Sequence, residues 1–196
     1  MPEDAQLSDS DGVFLVKTAR TAVTEFLSNG KRIKLESEDE KKFSFNAGVF
    51  VTLNDANGLR GCIGFPMPDK KLSHGIIDAA IAAATEDPRF SPVKINELNE
   101  IVFEVTVLTP PVEITVTDPM EYLEKIKVGR DGLIIRNSFS SGLLLPQVPV
   151  EYGWNVEEFL QHTCEKAGFE KDTWKNEKVK IEKFEGIVYK EGSNGS

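Results

Sequence analysis

Cysteine and histidine are scarce in this chain, with two of each among 196 residues. The thiols of Cys62 and Cys164 are too few for a disulfide framework, and a cytosolic protein keeps such thiols reduced. The histidines are His74 and His162, and no Cys or His pair has zinc-site spacing, so no metal is expected. Long apolar runs are missing too. Nothing approaches the roughly 18 apolar residues of a membrane span. The acidic start Met1-Pro2-Glu3-Asp4 has neither the basic residues nor the apolar run of a signal peptide. A cytoplasmic protein with no membrane partner is the expectation. Positive charge is short as well: the formal net charge is −9, and the only Lys-Lys doublets are Lys41-Lys42 and Lys70-Lys71. Sequence-independent grip on nucleic acid needs a basic footprint, so no nucleic-acid partner is expected. No phosphate-binding glycine loop is present either, and no nucleotide or other cofactor is expected.

What is present suits a globular protein. The apolar fraction is 40% and the charged fraction 28%, and the length is enough to bury a sizeable core. Residues 1–11 read as a flexible N-terminus, 12–190 as one domain, and the Gly/Ser-rich 191–196 as a disordered tail. Leu15, Ala19, Ala22, Val23, Phe26 and Leu27 recur at helical spacing, predicting a helix over 12–28 that Asn29-Gly30 stops. Residues 31–46 lack a period and read as a connector, with a short strand near Phe43 and Phe45. A hairpin follows over 48–54 and 59–65, then an Ala-rich helix over 72–85. The alternation Ile101, Phe103, Val105, Val107 predicts a half-buried strand. Further strands are expected at 112–116, 133–136, 143–145 and 179–189, and helices after Asp118 and after Asn155. Pro146 and Pro149 predict an extended segment between them. Helices interspersed among mainly antiparallel strands make the class α+β.

The hexapeptide Leu59-Arg60-Gly61-Cys62-Ile63-Gly64 is the most informative stretch. It lies on the return strand of the hairpin, just past Asp55-Ala56-Asn57-Gly58. Glycine inside a strand marks a bulge or a close approach by a ligand or another backbone. A thiol beside an arginine has the setting of a reactive cysteine; the competing reading is a buried structural cysteine.

The hexapeptide resembles the signature of the AMMECR1 domain family. Glu86-Asp87-Pro88-Arg89-Phe90 after a helix agrees with that resemblance. So does Gly142-Leu143-Leu144-Leu145-Pro146-Gln147-Val148, followed by Glu151-Tyr152-Gly153-Trp154. The likeness runs from about Phe14 to Tyr189. It implies a larger and a smaller subdomain, intertwined, with a cleft between them. It also implies proximity to Memo-like and radical SAM proteins in a shared modification pathway. It implies no established activity, so the enzyme question stays open.

Cys62 leads as a nucleophile candidate, with Glu151 as a group that orients or deprotonates a substrate, and His162 or His74 as the base such a thiol requires. Arg60 is read two ways: as a fork for a carboxylate or phosphate, or as half of an ion pair with a carboxylate such as Glu104. Gly61 and Gly64 offer amides to the same anion; Arg89 and Trp154 complete the candidate ligand contacts, though Arg89 and Phe90 also suit a cap and a core plug, and Trp154 a hydrophobic lid. Arg60 and Cys62 are expected near 146–154 in space. Two functions follow: a small anionic ligand bound or modified at the hexapeptide, or a protein partner docked there by a non-catalytic adaptor with an apolar rim at Ile63 and Phe65. The oligomeric state is not readable. From the charge alone, titration with random duplex DNA at physiological salt is expected to show no appreciable binding; a salt-sensitive micromolar dissociation constant would overturn this.

Overall fold

The computed structural model describes residues 7–176 and 178–192, which divide into two compact units. The first, larger unit is built from both ends of the chain, up to Leu108 and from Ile187 onward; the second is the continuous segment Thr109–Gly186. Strands pair antiparallel throughout each unit, and helices are interspersed among them. The class is α+β, as the sequence predicts.

The first unit opens with helix α1 (Asp9–Asn29). Ser8 caps it, accepting from the Asp11 amide while the Asp11 carboxylate accepts from the Ser8 amide. Gly30 ends it in the left-handed region at φ 71°. The expected loose N-terminus is therefore corrected for Ser8–Asp11, because this reciprocal cap starts the helix three residues early; residues 1–6 lie outside the described residues. The expected connector contains a short helix, α2 (Ser37–Lys42). No residue of it is buried, so it carries no apolar period to read. The strand expected near Phe43 is only an isolated bridge, Asn46 to Lys71.

Strands β1 (Val49–Asp55) and β2 (Gly58–Phe65) form the predicted hairpin, and β3 (Val102–Leu108) pairs with the other side of β1. Val49, Val51, Leu53, Phe103, Val105 and Val107 alternate onto one face and are fully buried. Helix α3 (Leu72–Thr85) packs on that face, and α1 packs on α3 and β3. Each such side chain contributes about 1.5–3 kcal/mol relative to exposure. Alanines at 79, 80 and 83 let the helix come close. At Gly61 a Cβ would stand 2.2 Å from the Ala83 carbonyl oxygen, so only glycine fits under the helix backbone.

The second unit centres on β5 (Asp131–Arg136), flanked by β6 (Ser141–Leu144) and β7 (Lys180–Lys190); the short β4 (Val112–Glu113) lies on the other side of β7. Helices α4 (Tyr122–Lys125) and α6 (Val156–Lys166) contribute to a core that includes Leu133, Ile135, Phe159, Leu160, Trp174 and Ile181, and the short α5 (Gln147–Tyr152) precedes α6. The extended reading of 146–149 is corrected: Pro146 precedes α5 at φ −57°, ψ −32°, and Pro149 lies in its first turn. Proline is tolerated there because first-turn amides have no intrahelical acceptor to lose. Strand β7 begins in the second unit and ends in the first. The tail reading is corrected at Glu191, whose carboxylate takes Arg20 Nε and Nη2 at 2.5 and 2.6 Å and the Phe103 amide at 3.1 Å; residues 193–196 lie outside the described residues.

Replacing Gly61 by Ala is expected to lower stability by about 1–3 kcal/mol, as overpacking does. A urea midpoint equal to that of the unaltered protein would show that α3 yields without cost.

Candidate functional site

Cys62 lies on β2 opposite Thr52 of β1, and Thr52 lies opposite Glu104 of β3. The pleat therefore puts Cys62, Thr52 and Glu104 in one row on the face turned away from α3. All three are half-buried. The Thr52 hydroxyl donates to Cys62 Sγ at 3.3 Å. The other thiol, Cys164, is fully buried in α6, and burial pushes its pKa up to about 11. So the two cysteines have opposite settings, one on a partly open sheet face and one in a core.

Strand β2 is an edge, and its outward backbone groups at Cys62 are occupied by the Asp-Pro-Arg-Phe segment after α3. The Cys62 amide donates to Asp87 Oδ2 at 2.8 Å, and Arg89 Nη2 stands 3.4 Å from the Cys62 carbonyl oxygen. Asp87 also receives Arg89 Nε at 3.0 Å, Arg89 Nη2 at 2.8 Å and the Arg89 amide at 3.1 Å. The Asp87 side chain is 2% exposed and that of Arg89 is 55% exposed. The Arg89 hydrogen bonds, helped by the Cys62 amide, hold the Asp87 carboxyl well below the usual carboxylate range against the opposing effect of burial. Phe90 is half-buried, and the Arg89 guanidinium lies 5.5 Å from its ring centre.

Arg60 is the extra residue of a β-bulge. Leu53 faces Gly61 and Asn54 faces Leu59, so Arg60 has no cross-strand partner. Its side chain is 13% exposed and reaches Glu97, with Nε and Nη2 at 3.2 and 3.1 Å, and the Ser91 carbonyl at 2.9 Å. The ion-pair alternative is thus realised, but with Glu97 rather than Glu104. Glu104 belongs to the Thr52 row across β1, whereas Glu97 sits in a 3₁₀ turn over Ile95–Glu97. The Lys94 amide, with Arg60, keeps the Glu97 carboxyl below its ordinary value. The glycine spaces are filled as well: Gly61 by the Ala83 backbone, Gly64 by the Phe50 ring, which would stand 2.3 Å from a Cβ. Ile63 and Phe65 pack against the first core.

The candidate histidines and Trp154 have partners of their own. His74 pairs with Glu40 at 3.5 Å. Glu151 and Trp154 are in the second unit, where Glu151 is exposed on α5 and Trp154 is half-buried. The Trp154 ring stacks between Tyr152 and His162, with centroids at 4.9 and 3.9 Å. His162 Nδ1 also lies 2.8 Å from Glu165. Two carbonyls of this segment have partners nearby: Leu145 O accepts from Val148 N and Pro149 O from Trp154 N. Asp87 and Glu97 were missed as organisers of the site. The signal for Asp87 was available, since an acid fixed before a proline beyond an apolar helix needs a donor when buried. Among the described residues no group of His, Cys, Asp and Glu is arranged to hold a metal, and no helix is long and apolar enough to cross a membrane.

These features define a two-unit α+β protein whose edge strand presents a cysteine held through its backbone by an aspartate–arginine pair. The chain belongs to the AMMECR1 family, whose model matches residues 16–189. It is 52% identical over 187 residues to Protein MJ0810 of Methanocaldococcus jannaschii, covering 94% of this chain and 92% of that one. It is 49% identical over 192 residues to Protein PYRAB00100 of Pyrococcus abyssi, covering 95% and 93%. The crystal structure of uncharacterized protein PH0010 from Pyrococcus horikoshii is similar at TM-score 0.78 and 49% identity, covering 95% of this chain and 94% of that one.

Asp87 titrates below its ordinary value in the folded state, so its charge stabilises the fold fully above about pH 4 and progressively less as pH falls below it. Changing Asp87 to Asn is expected to lower stability at pH 7 by about 1–3 kcal/mol. The difference between the two proteins should shrink toward pH 3. Urea midpoints that coincide at pH 7, or differ equally at both pH values, would count against the clamp.

Proposed function

We propose that the Cys62 edge of the first unit binds a small anionic ligand, with the Cys62 thiol as the atom the ligand meets and Arg89 as its cationic contact. The observation that carries this reading is one pairing on one residue. A half-buried thiol projects from the same Cys62 whose backbone is gripped by a half-exposed guanidinium. An arginine so held loses little freedom when an anion arrives; with Nε and Nη2 kept by Asp87, the anion meets the exposed side of the guanidinium through a single donor. Arg60 supports the site instead of contacting the ligand, because its guanidinium is mostly buried and engaged by Glu97 and Ser91. Gly61 serves the packing of α3 and Gly64 lies under Phe50. Glu151 and Trp154 have no part in this reading.

The alternative, an adaptor docking through the same hexapeptide, calls for an apolar rim at Ile63 and Phe65. Both side chains are half-buried against the first core, which gives that reading less support. Leu59, at 41% exposed, is the one large apolar side chain of the strand on offer.

Alkylation tests the proposal. Iodoacetate carries a carboxylate and iodoacetamide does not, so their rate ratio at Cys62, set against free cysteine, reads a nearby anion site. The ratio is expected to exceed that of free cysteine by about tenfold, the worth of one charge-assisted contact. It should fall in Arg89→Gln and on adding inorganic phosphate, and Cys62 should be alkylated well before Cys164. A ratio equal to that of free cysteine would sink the anion site. Equal protection of both thiols until denaturation would make Cys62 a structural residue.

A further inference from the structure

A cavity of about 300 Å³ opens where α3 begins. Its lining shares no residue with the Cys62 cluster: Ile33, Leu35 and Ile77 form an apolar wall, and Lys34, Glu40, Ser73 and His74 supply polar groups. Ser73 is fully buried, and its hydroxyl has no hydrogen-bond partner among the described residues. Buried hydroxyls are almost always paired, so an orphan that lines a cavity points to something that enters the cavity. The helix amides are not what is on offer. Leu72 and Ser73 donate to the carbonyls of Phe45 and Phe43 at 2.9 Å, and His74 and Gly75 donate to that of Lys71 at 3.0 and 2.8 Å. The unsatisfied capacity lies in the Ser73 side chain alone.

The other polar groups set the chemistry. Glu40 and His74 pair with one another at 3.5 Å. Lys34 is exposed and makes no ion pair among the described residues. The cavity therefore combines an unpaired cation at its solvent side, an apolar wall and an unpaired hydroxyl on its buried side. Cavities of this kind take ligands whose apolar body fills the wall and whose few polar atoms meet the fixed groups. We propose that this cavity is a ligand site for a small carboxylic acid with an apolar frame and a second oxygen. The carboxylate meets Lys34, the frame lies against Ile33, Leu35 and Ile77, and the second oxygen pairs with Ser73.

The probes are 4-hydroxybenzoate, benzoate, which lacks the second oxygen, and 4-hydroxybenzamide, which lacks the charge. Binding is read from methyl NMR shifts of Ile33, Leu35 and Ile77, and unshifted methyls elsewhere in the first core, such as Leu53 and Val105, show that each variant is folded. 4-Hydroxybenzoate is expected to bind saturably at millimolar concentration. Each analogue should bind about tenfold more weakly, the loss expected when one polar contact goes unmade. Ser73→Ala should weaken 4-hydroxybenzoate to the level of benzoate and leave benzoate unchanged; Lys34→Ala should weaken both acids and leave the amide unchanged. No saturable shift, or equal affinity of all three compounds in the unaltered protein, overturns the proposal whether or not the variants fold. An affinity for 4-hydroxybenzoate that survives Ser73→Ala also overturns it, and leaves a buried water as the partner of Ser73.

Discussion

The carboxylate of Asp87 is the joint on which the first unit turns. A sheet edge exposes backbone amides and carbonyls that need partners. Here the amide of Cys62 finds one 25 residues away, in a carboxylate that also binds the guanidinium and amide of Arg89. One buried anion thus fixes the end of α3, the turn that follows, and the strand carrying the thiol. Removing this charge leaves the Cys62 amide without its acceptor and the half-exposed Arg89 guanidinium without its carboxylate. The thiol inherits its position from this arrangement: the Cys62 amide points outward to Asp87, and its side chain meets Thr52 across the ladder.

Close approach is the companion constraint. Gly61 admits the carbonyl of Ala83, and the alanines of α3 bring the helix down onto the valine-rich face of β1 and β3. The bulge at Arg60 sits beside that contact and frees the guanidinium to reach Glu97 and Ser91. The side-chain spaces left by Gly61 and Gly64 are thus filled by packing, of the Ala83 carbonyl and the Phe50 ring. At the other end of the unit, Arg20 binds the carbonyls of Leu98 and Ile101 and the carboxylate of Glu191. The end of the chain is thereby tied to α1 and β3, and Tyr189 lies against Gly12. A unit built from both ends of a chain needs such a tie, because no local signal brings residues 171 apart together.

The second unit uses different means. Its short strands rest on Leu133, Ile135 and Ile181, and Gly142 lets the end of α6 approach β6. The rings of Tyr152, Trp154 and His162 stack in series beside that core. The segment from Gly142 to Trp154 that resembles a family signature is accordingly a folded corner: a strand and a proline-initiated helical turn, closed by Gly153 at φ 68° just before the capped helix α6.

The sequence by itself determined the elements whose signals are local. The hairpin, the bounds of α3, the reciprocal cap on α6 and the glycine stop of α1 depend on residues within a few positions of one another. The α+β class and the family followed from the same local motifs in order. Local signals failed where one residue type serves two geometries: proline sets nearly the same φ in an extended segment and in a first helical turn, and only the packing of 146–152 decided between them. They failed again at α2, which buries nothing and so has no period. The site was legible as residue types but not as partners. Tertiary structure alone gave Arg60 to Glu97, placed Asp87 at the heart of the cluster, and left Ser73 without a partner among the described residues beside a cavity. Hydrogen bonds of this kind join residues tens of positions apart, and the free energy that selects them comes from burial, which a sequence read one segment at a time does not contain.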